Sequence, residues 1–323
     1  KTTKDGDVRN SYTLIFIFLM TSCSMMNSFN GPSALATNDF IQALELLRKN
    51  RKEDALLKFE NSCEAHVLAA CLYLGNDIDH KKLRPFSIMQ GMTGNKEALL
   101  SILFTTSKNN IIEIYDETSG KLVSSSNIIF EQQQWPSFKA RILTIKLSNL
   151  IDKHNYRLEI YNGDYRLNDV RWFSTLNPNP KDFNYVVASC MDDKFNDIQK
   201  NMWKGVYALK PEALFLIGDN AYLDTKLDRS KKITAAHMWS RFIDHRKTLE
   251  LYYYKKLIPV FGLWDDHDYG SNNGNKNFEL KAEATKIFQS FFPFYNIKEA
   301  QAGHGVGYKL SLANSNFYFL DAR

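Results

Sequence analysis

Between Asn184 and the C-terminus, four apolar runs are each followed at once by residues able to hold a metal ion or a phosphate. NYVVAS is followed by Cys190, EALFLIG by Asp219, IPVFGLW by Asp265 to Asp268, and NFYFL by Asp321 and Arg323. Segments of helical period lie between them, with apolar residues at Ile198, Met202, Val206 and Leu209 and again at Leu280, Ala284, Ile287 and Phe291. Strand, helix, strand in succession predicts a largely parallel sheet with helices packed over it. In open sheets of this kind ligands bind beyond the carboxyl ends of the strands, so four polar ends are expected to meet in one crevice.

The period is different upstream. From about Leu83 to Leu176 apolar residues alternate, as in LTIKL (Leu143, Ile145 and Leu147 against Thr144 and Lys146) and YRLEIYNGDYRL, where Asn162-Gly163 is a hairpin turn signal. IIEIYDETSGKLV reads as a further hairpin. Short strands at this density predict a β-sandwich of immunoglobulin or fibronectin type over 83–177, closed by the linker NPNPKD. Residues 38–82 carry helical spacing at Phe40, Leu44 and Leu47, with Thr37 or Asn38 as a cap, and predict a small helical segment. The expected whole is a multidomain chain of 323 residues, part all-β and part α/β, with that helical segment in front.

Near the N-terminus the apolar stretch LIFIFLM, preceded by Lys4 and Arg9, is far short of a bilayer span and runs into TSC. Residues 1–23 therefore read as an export signal similar to those of bacterial lipoproteins, with a lipid on Cys23 as the only membrane attachment and the cell envelope as destination. Cys63 and Cys71 fall in helical sequence and read as small buried hydrophobes, four cysteines being too few and too irregular for a disulfide framework. The net charge is +5 with the basic residues scattered, so no Lys/Arg stripe tracks nucleic-acid phosphates, and nucleic acid is not expected as a main partner.

The stretch GLWDDHDYGSNN packs Asp265, Asp266, His267 and Asp268 together directly after an apolar run. Carboxylates this close repel one another and cost desolvation unless a cation sits among them. Oxygen ligands beside a thiolate and an imidazole suit divalent and trivalent first-row metals, or calcium. Two such ions about 3.5–4 Å apart can clamp a phosphoryl group for in-line attack.

Taken in order, ASC (188–190), GDNAY (218–222), WDDHDYGSNN (264–273) and FLDAR (319–323) resemble the motifs of the alkaline phosphatase D, or PhoD-like, metallophosphatases. IMQGMTGN and the alternating region after it resemble the N-terminal domain of that family, so the likeness spans roughly residues 83–323. It implies that 183–323 form the first half of a metallophosphoesterase α/β/β/α sandwich. It also implies metal-dependent hydrolysis of phosphate monoesters or diesters by a metal-activated water, with Fe3+ and Ca2+ as the metals, or other divalent ions such as Zn2+ or Mn2+.

Residue by residue, the resemblance makes Cys190 a thiolate ligand of the ferric ion, Asp219 the bridging carboxylate and Tyr222 a phenolate ligand. Asp266 becomes a ligand of the second metal. His267 is implied as the group that meets the phosphoryl oxygen or protonates the leaving group, and Asp268 as the acceptor that fixes the His267 tautomer. Asp265 is either a further ligand or a loop-former. Asn272 and Asn273 lie where the family carries a polar pair near its calcium-type site, or form a solvated turn. Asp321 and Arg323 orient the phosphate or make an ion pair at the strand edge.

Further strands and late histidines complete the metal sites of that family and do not occur before Arg323. With Lys1 in first place, the chain is expected to be a piece of a longer protein that holds half a site and turns over phosphate esters poorly by itself. The alternative expectation is a non-catalytic envelope protein whose sandwich and helical segment bind a partner and whose phosphatase part is degenerate.

Overall fold

The computed structural model describes residues 34–64, 85–106, 108–163, 167–227, 232–293 and 305–323. Contacts divide the chain into two compact units, 1–79 and 80–323. The export signal, Cys23 and Cys71 lie outside the described residues, among which no helix is long and apolar enough to cross a membrane.

In the first unit, α1 (Ala34–Arg48) and α2 (Lys52–Glu64) form a helical hairpin. Helix α1 begins at Ala34, so Thr37 and Asn38 lie inside it and do not cap it. The two helices close on Ala43, Ala55 and Phe59, with Phe40 edge-on to Phe59 at 5.6 Å. A buried Asp39 accepts hydrogen bonds from Lys58 at 2.6 Å and Asn61 at 3.3 Å. Cys63 is not the free buried thiol expected from the sequence, because it is disulfide-bonded.

The second unit opens with seven antiparallel strands: β1 (Ser87–Thr93), β2 (Ala98–Phe104), β3 (Asn110–Asp116), β4 (Ile128–Gln134), β5 (Arg141–Leu147), β6 (Asn155–Asn162) and β7 (Leu167–Ser174). They make two sheets, ordered β1-β2-β5-β4 and β3-β6-β7. Ile88, Leu100, Ile102 and Ile145 of the first sheet share a core with Ile114, Leu158, Ile160 and Phe173 of the second. Every residue of β1 and β2 is buried. Side chains alternate along a strand, so burial without alternation means that both faces are covered. Met89, Leu99, Leu103 and Ile142 face the other way and join the core of the α/β part.

That part contains β8 (Tyr185–Ala188), α3 (Asn196–Ala208), β9 (Ala213–Ile217), α4 (Ala235–Thr248), β10 (Val260–Leu263), the one-turn helix α5 (Asp266–Tyr269), α6 (Lys281–Phe291), β11 (Tyr308–Leu312) and β12 (Ser315–Phe319). Strands β10, β9 and β8 pair in parallel in that order. The fourth apolar run does not extend this sheet: β12 pairs antiparallel with β11, through a turn whose residues Ala313 and Asn314 have φ of 51° and 59°. Both central residues at positive φ favour a tight two-residue hairpin, which pairs β12 with β11. Phe317 and Phe319 of this hairpin pack edge-on to Phe215 of β9 at 5.0 and 5.4 Å.

Helix α3 also departs from expectation. Its residues Ile198 and Met202, and Leu209 just after it, are exposed, and it is anchored instead by the fully buried Trp203 and by Gln199. Two buried arginines tie the sheets to the α/β part. Arg246 of α4 donates to the Ser87 and Ser101 carbonyls at 3.2 and 2.9 Å. Arg171 of β7 pairs with Asp169 at 2.7 Å and donates to the carbonyls of Phe86, Tyr252 and Tyr254.

Candidate metal centre at the carboxyl edge of the parallel sheet

The chain leaves β8 and β9 through backbone corners that few residues adopt. Cys190 has φ of 59° and Asp219 φ of 53°, left-handed values that cost a non-glycine residue of the order of 1–3 kcal/mol when imposed by surroundings. The corners are bonded to each other, Cys190 N–H to the Gly218 carbonyl at 3.2 Å and Met191 N–H to the Asp219 carbonyl at 2.8 Å. Gly218, at φ 121°, leaves no room for a side chain, since a Cβ there would lie 2.5 Å from the Asp265 Cβ.

These corners bring the candidate ligands together. The Cys190 thiol lies 3.6 Å and the Tyr222 hydroxyl 3.4 Å from Oδ2 of Asp219, and both donate to it. Donor atoms of Asp219, Asp266 and His267 all lie within 4.8 Å of one another. Asp219 Oδ1 is buried with no partner. Burial, reinforced by Asp266 and Asp265, pushes the Asp219 carboxyl above its ordinary range although His267 pulls it down. Burial also pushes the Tyr222 phenol up, with Asp219 and Cys190 adding to it. For Asp266 burial acts upward too, but the Asn273 N–H, His267 and Arg323 outweigh it and hold the carboxyl below its usual range. A cation favours the ionised form of each of these groups, and a carboxylate with one orphaned oxygen and with thiol, phenol and imidazole beside it fits one.

Asp268 has a different task from the one expected. Its wholly buried carboxylate accepts from Asn220 N at 3.0 Å, Ala221 N at 2.7 Å, Asp265 N at 3.1 Å and the Asn220 amide at 3.2 Å. It closes a capping box on α5 with Asp265 and pins the loop after β9 to the turn after β10. The partner of the His267 ring is Asp224, whose Oδ1 lies 2.7 Å from Nδ1. Asp224 Oδ2 accepts the Asn272 N–H at 2.9 Å. With Nδ1 engaged, Nε2 is the ring nitrogen left for an ion or a proton. Tyr222 stacks on this ring at 4.2 Å.

The remaining expected residues meet other partners. Asp265 and Arg323 form an ion pair, and Arg323 also donates to the Gly274 carbonyl at 3.2 Å. Asp321 accepts from the Trp264 indole at 2.6 Å and from Val306 N at 2.9 Å. Asn273 touches the site through its main chain, donating its N–H to Asp266 at 2.5 Å, and the side chains of Asn272 and Asn273 lie in an exposed turn.

Four residues not singled out from the sequence support the loop from below. His245 Nε2 of α4 accepts the Tyr222 N–H at 3.0 Å, and Arg241, one helical turn earlier, donates to the Tyr222 carbonyl at 3.1 Å. Asp193 pairs with Arg241 at 2.8 Å, and Thr225 accepts from Arg241 at 3.0 Å. Burial holds His245 down at about 4, against the pull of Asp193. The i, i+4 spacing of Arg241 and His245 on a helix with Met238, Trp239 and Phe242 was the available signal.

No family model matches the chain, and no curated protein does. Among solved structures, the sensor domain of the anti-sigma factor RsgI4 of Pseudobacteroides cellulosolvens is similar to 29% of this chain and 98% of its own, at 17% identity and a TM-score of 0.21. Astrotactin-2, a vertebrate perforin-like membrane protein, is similar over 65% of this chain and 37% of its own, at 9% identity and a TM-score of 0.24.

Proposed function

We propose that the chain is a PhoD-like metallophosphatase, hydrolysing phosphate monoesters or diesters at the carboxyl edge of the parallel sheet. In this reading the two antiparallel sheets are its immunoglobulin-like N-terminal sandwich, over 83–177, and residues 183–323 are the first half of a metallophosphoesterase α/β/β/α sandwich. The observation that carries the reading is the convergence of Cys190, Asp219, Tyr222, Asp266 and His267, drawn from three strand ends, at the Asp219 carboxylate, one of whose oxygens is buried without a partner.

Cys190, Asp219 and Tyr222 would hold a trivalent ion such as Fe3+, and Asp219 and Asp266 a divalent one such as Ca2+, Zn2+ or Mn2+. Such ions supply Lewis acidity and a lowered pKa of water. The chain supplies the rest. Asp224 fixes the His267 ring so that Nε2 can donate to a phosphoryl oxygen or to the leaving alcohol. Asp268 holds the two ligand loops in register. Arg323, bound to Asp265, acts on loop geometry in this reading. Export to the cell envelope as a lipoprotein remains part of the proposal, and the Cys63 disulfide supports an oxidising compartment.

Metal uptake tests the reading. Titration with Fe3+ is expected to give a visible tyrosinate-to-iron charge-transfer band that inorganic phosphate perturbs and Tyr222→Phe abolishes. Release of p-nitrophenol from bis(p-nitrophenyl) phosphate, however slow, should rise with metal loading and fall in Asp266→Asn. The reading fails if no metal binds stoichiometrically, or if uptake survives Asp219→Asn combined with Asp266→Asn.

A further inference from the structure

Beneath the ligand loop, α4 carries an arrangement that packing alone does not explain. Tyr222 N–H and the Arg241 guanidinium, at 3.0 and 3.2 Å, both direct hydrogens at His245 Nε2. A guanidinium only donates, so Nε2 must be the acceptor and the ring proton must sit on Nδ1. Nδ1 is buried without a partner. An unsatisfied buried donor costs stability, and a phenylalanine would fill the same space without that cost. The polar ring offers Nε2 as an acceptor to the Tyr222 N–H and to Arg241, the two groups that hold the Tyr222 main chain.

Arg241 completes the grip. It donates through Nε to the Tyr222 carbonyl at 3.1 Å, and its own position is fixed by Asp193, Asp244 and Thr225. Both main-chain groups of Tyr222 are thus bound by side chains of one rigid helix, one turn apart. On the opposite side the preceding N–H groups, of Asn220 and Ala221, are bound by Asp268. The segment from Asp219 to Tyr222 therefore has its main chain held from two directions, while the side chains of Asp219 and Tyr222 are left facing each other at 3.4 Å.

We infer that His245 and Arg241 are positioning residues, which clamp the Tyr222 main chain so that its phenol and the Asp219 carboxylate are prearranged for a metal ion before one arrives. This rests on the proposed metal centre for its purpose, but the clamp itself is a property of the metal-free chain. Partners that orient ligands without touching the metal typically change affinity by about 10–100-fold when removed.

The test compares His245→Phe, which keeps the ring and loses the acceptor, with His245→Gln, which restores an acceptor. Amide hydrogen exchange is measured first, without metal. In His245→Phe the amides of residues 220–224 are expected to exchange about tenfold faster while those of 238–247 are unchanged, and His245→Gln should recover most of the protection. Fe3+ titration follows, with at least about tenfold weaker binding and a shifted tyrosinate band expected in His245→Phe. The more conservative Arg241→Lys should weaken binding in the same direction, so a poorly folded His245→Phe does not shelter the idea. Unchanged loop exchange in a folded His245→Phe overturns the clamp. Faster exchange with unaltered affinity and band overturns its positioning role. Faster exchange in His245→Phe, together with a wild-type chain that takes up no metal, leaves the clamp standing but overturns the metal centre itself, and the purpose assigned here with it.

Discussion

The Asp268 carboxylate lies 3.0 Å from the main-chain nitrogen of Asn220 and joins the loop after β9 to the turn after β10. Because the same group also accepts from Ala221 and Asp265, removing it strands the buried N–H groups of Asn220 and Ala221 and the half-buried one of Asp265. Asp268→Ala is expected to destabilise the second unit by about 3 kcal/mol or more, measured by urea unfolding. A loss below about 1 kcal/mol would mean that the two loops hold their geometry without it.

Asp224, not Asp268, governs the imidazole. In Asp224→Ala the nitrogen NMR signals of the His267 ring should move from one fixed tautomer to a mixture, with at most about 1 kcal/mol lost in stability. If the ring signals are unaffected while Asp268→Asn shifts them, the assignment of partners is reversed.

Three charged neighbours should separate cleanly by metal titration. Asp266→Ala is expected to weaken binding by more than about tenfold, whereas Asp265→Ala and Arg323→Ala, which break an ion pair beside the cluster, should stay within about threefold. Equal losses in Asp265→Ala and Asp266→Ala would restore Asp265 to the ligand set.

His245 gives the fold a dependence on pH. Its folded-state value is held at about 4 by burial, with Asp193 and Asp192 pulling it up and Arg241 and Lys226 pushing it down. The unfolded chain takes up a proton near the ordinary value of 6.5 and the folded chain does not. Stability from this group is therefore complete above about 6.5 and is lost as pH falls towards about 4. Urea midpoints measured between those limits should decline by an amount worth up to about 3 kcal/mol, and His245→Phe should flatten the decline. A wild-type midpoint that is level across the window would contradict it.

Thiol chemistry should distinguish two cysteines. Cys190 is free and exposed, so iodoacetamide is expected to label it in the native protein. Cys63 should be labelled only after reduction. Labelling of Cys63 in the unreduced, denatured chain would show that its disulfide does not form.

Much of the candidate site was legible because apolar runs buried in a parallel sheet must end abruptly, and what ends them stands out: Cys190, Asp219 and Asp266 needed only their place after a strand for their convergence to be expected. β12 was misread for the same reason, since NFYFL resembles a central strand until the positive-φ pair Ala313-Asn314 folds it back on β11. Polar residues inside helices were harder. Arg241 and His245 are polar residues that lie on the buried side of α4, whereas Ile198 and Leu209 read as core and lie outside. In both cases the pattern of residue types was plain, and the partner that decided which side faced inward was distant in sequence. Asp268 could have been found from the spacing Asp265-x-x-Asp268, a capping box in sequence as well as in space.

A strand pair covered on both flanks has a bearing on how this protein can be divided. If a protease nicks the exposed stretch 177–182, the pieces should stay associated under native conditions, because Met89, Leu99 and Leu103 would otherwise be stripped to water and Arg246 would lose the carbonyls of Ser87 and Ser101. Neither piece is a transferable module. Shuffling the sheets onto another α/β part would require that part to bring its own matching arginine and greasy underside.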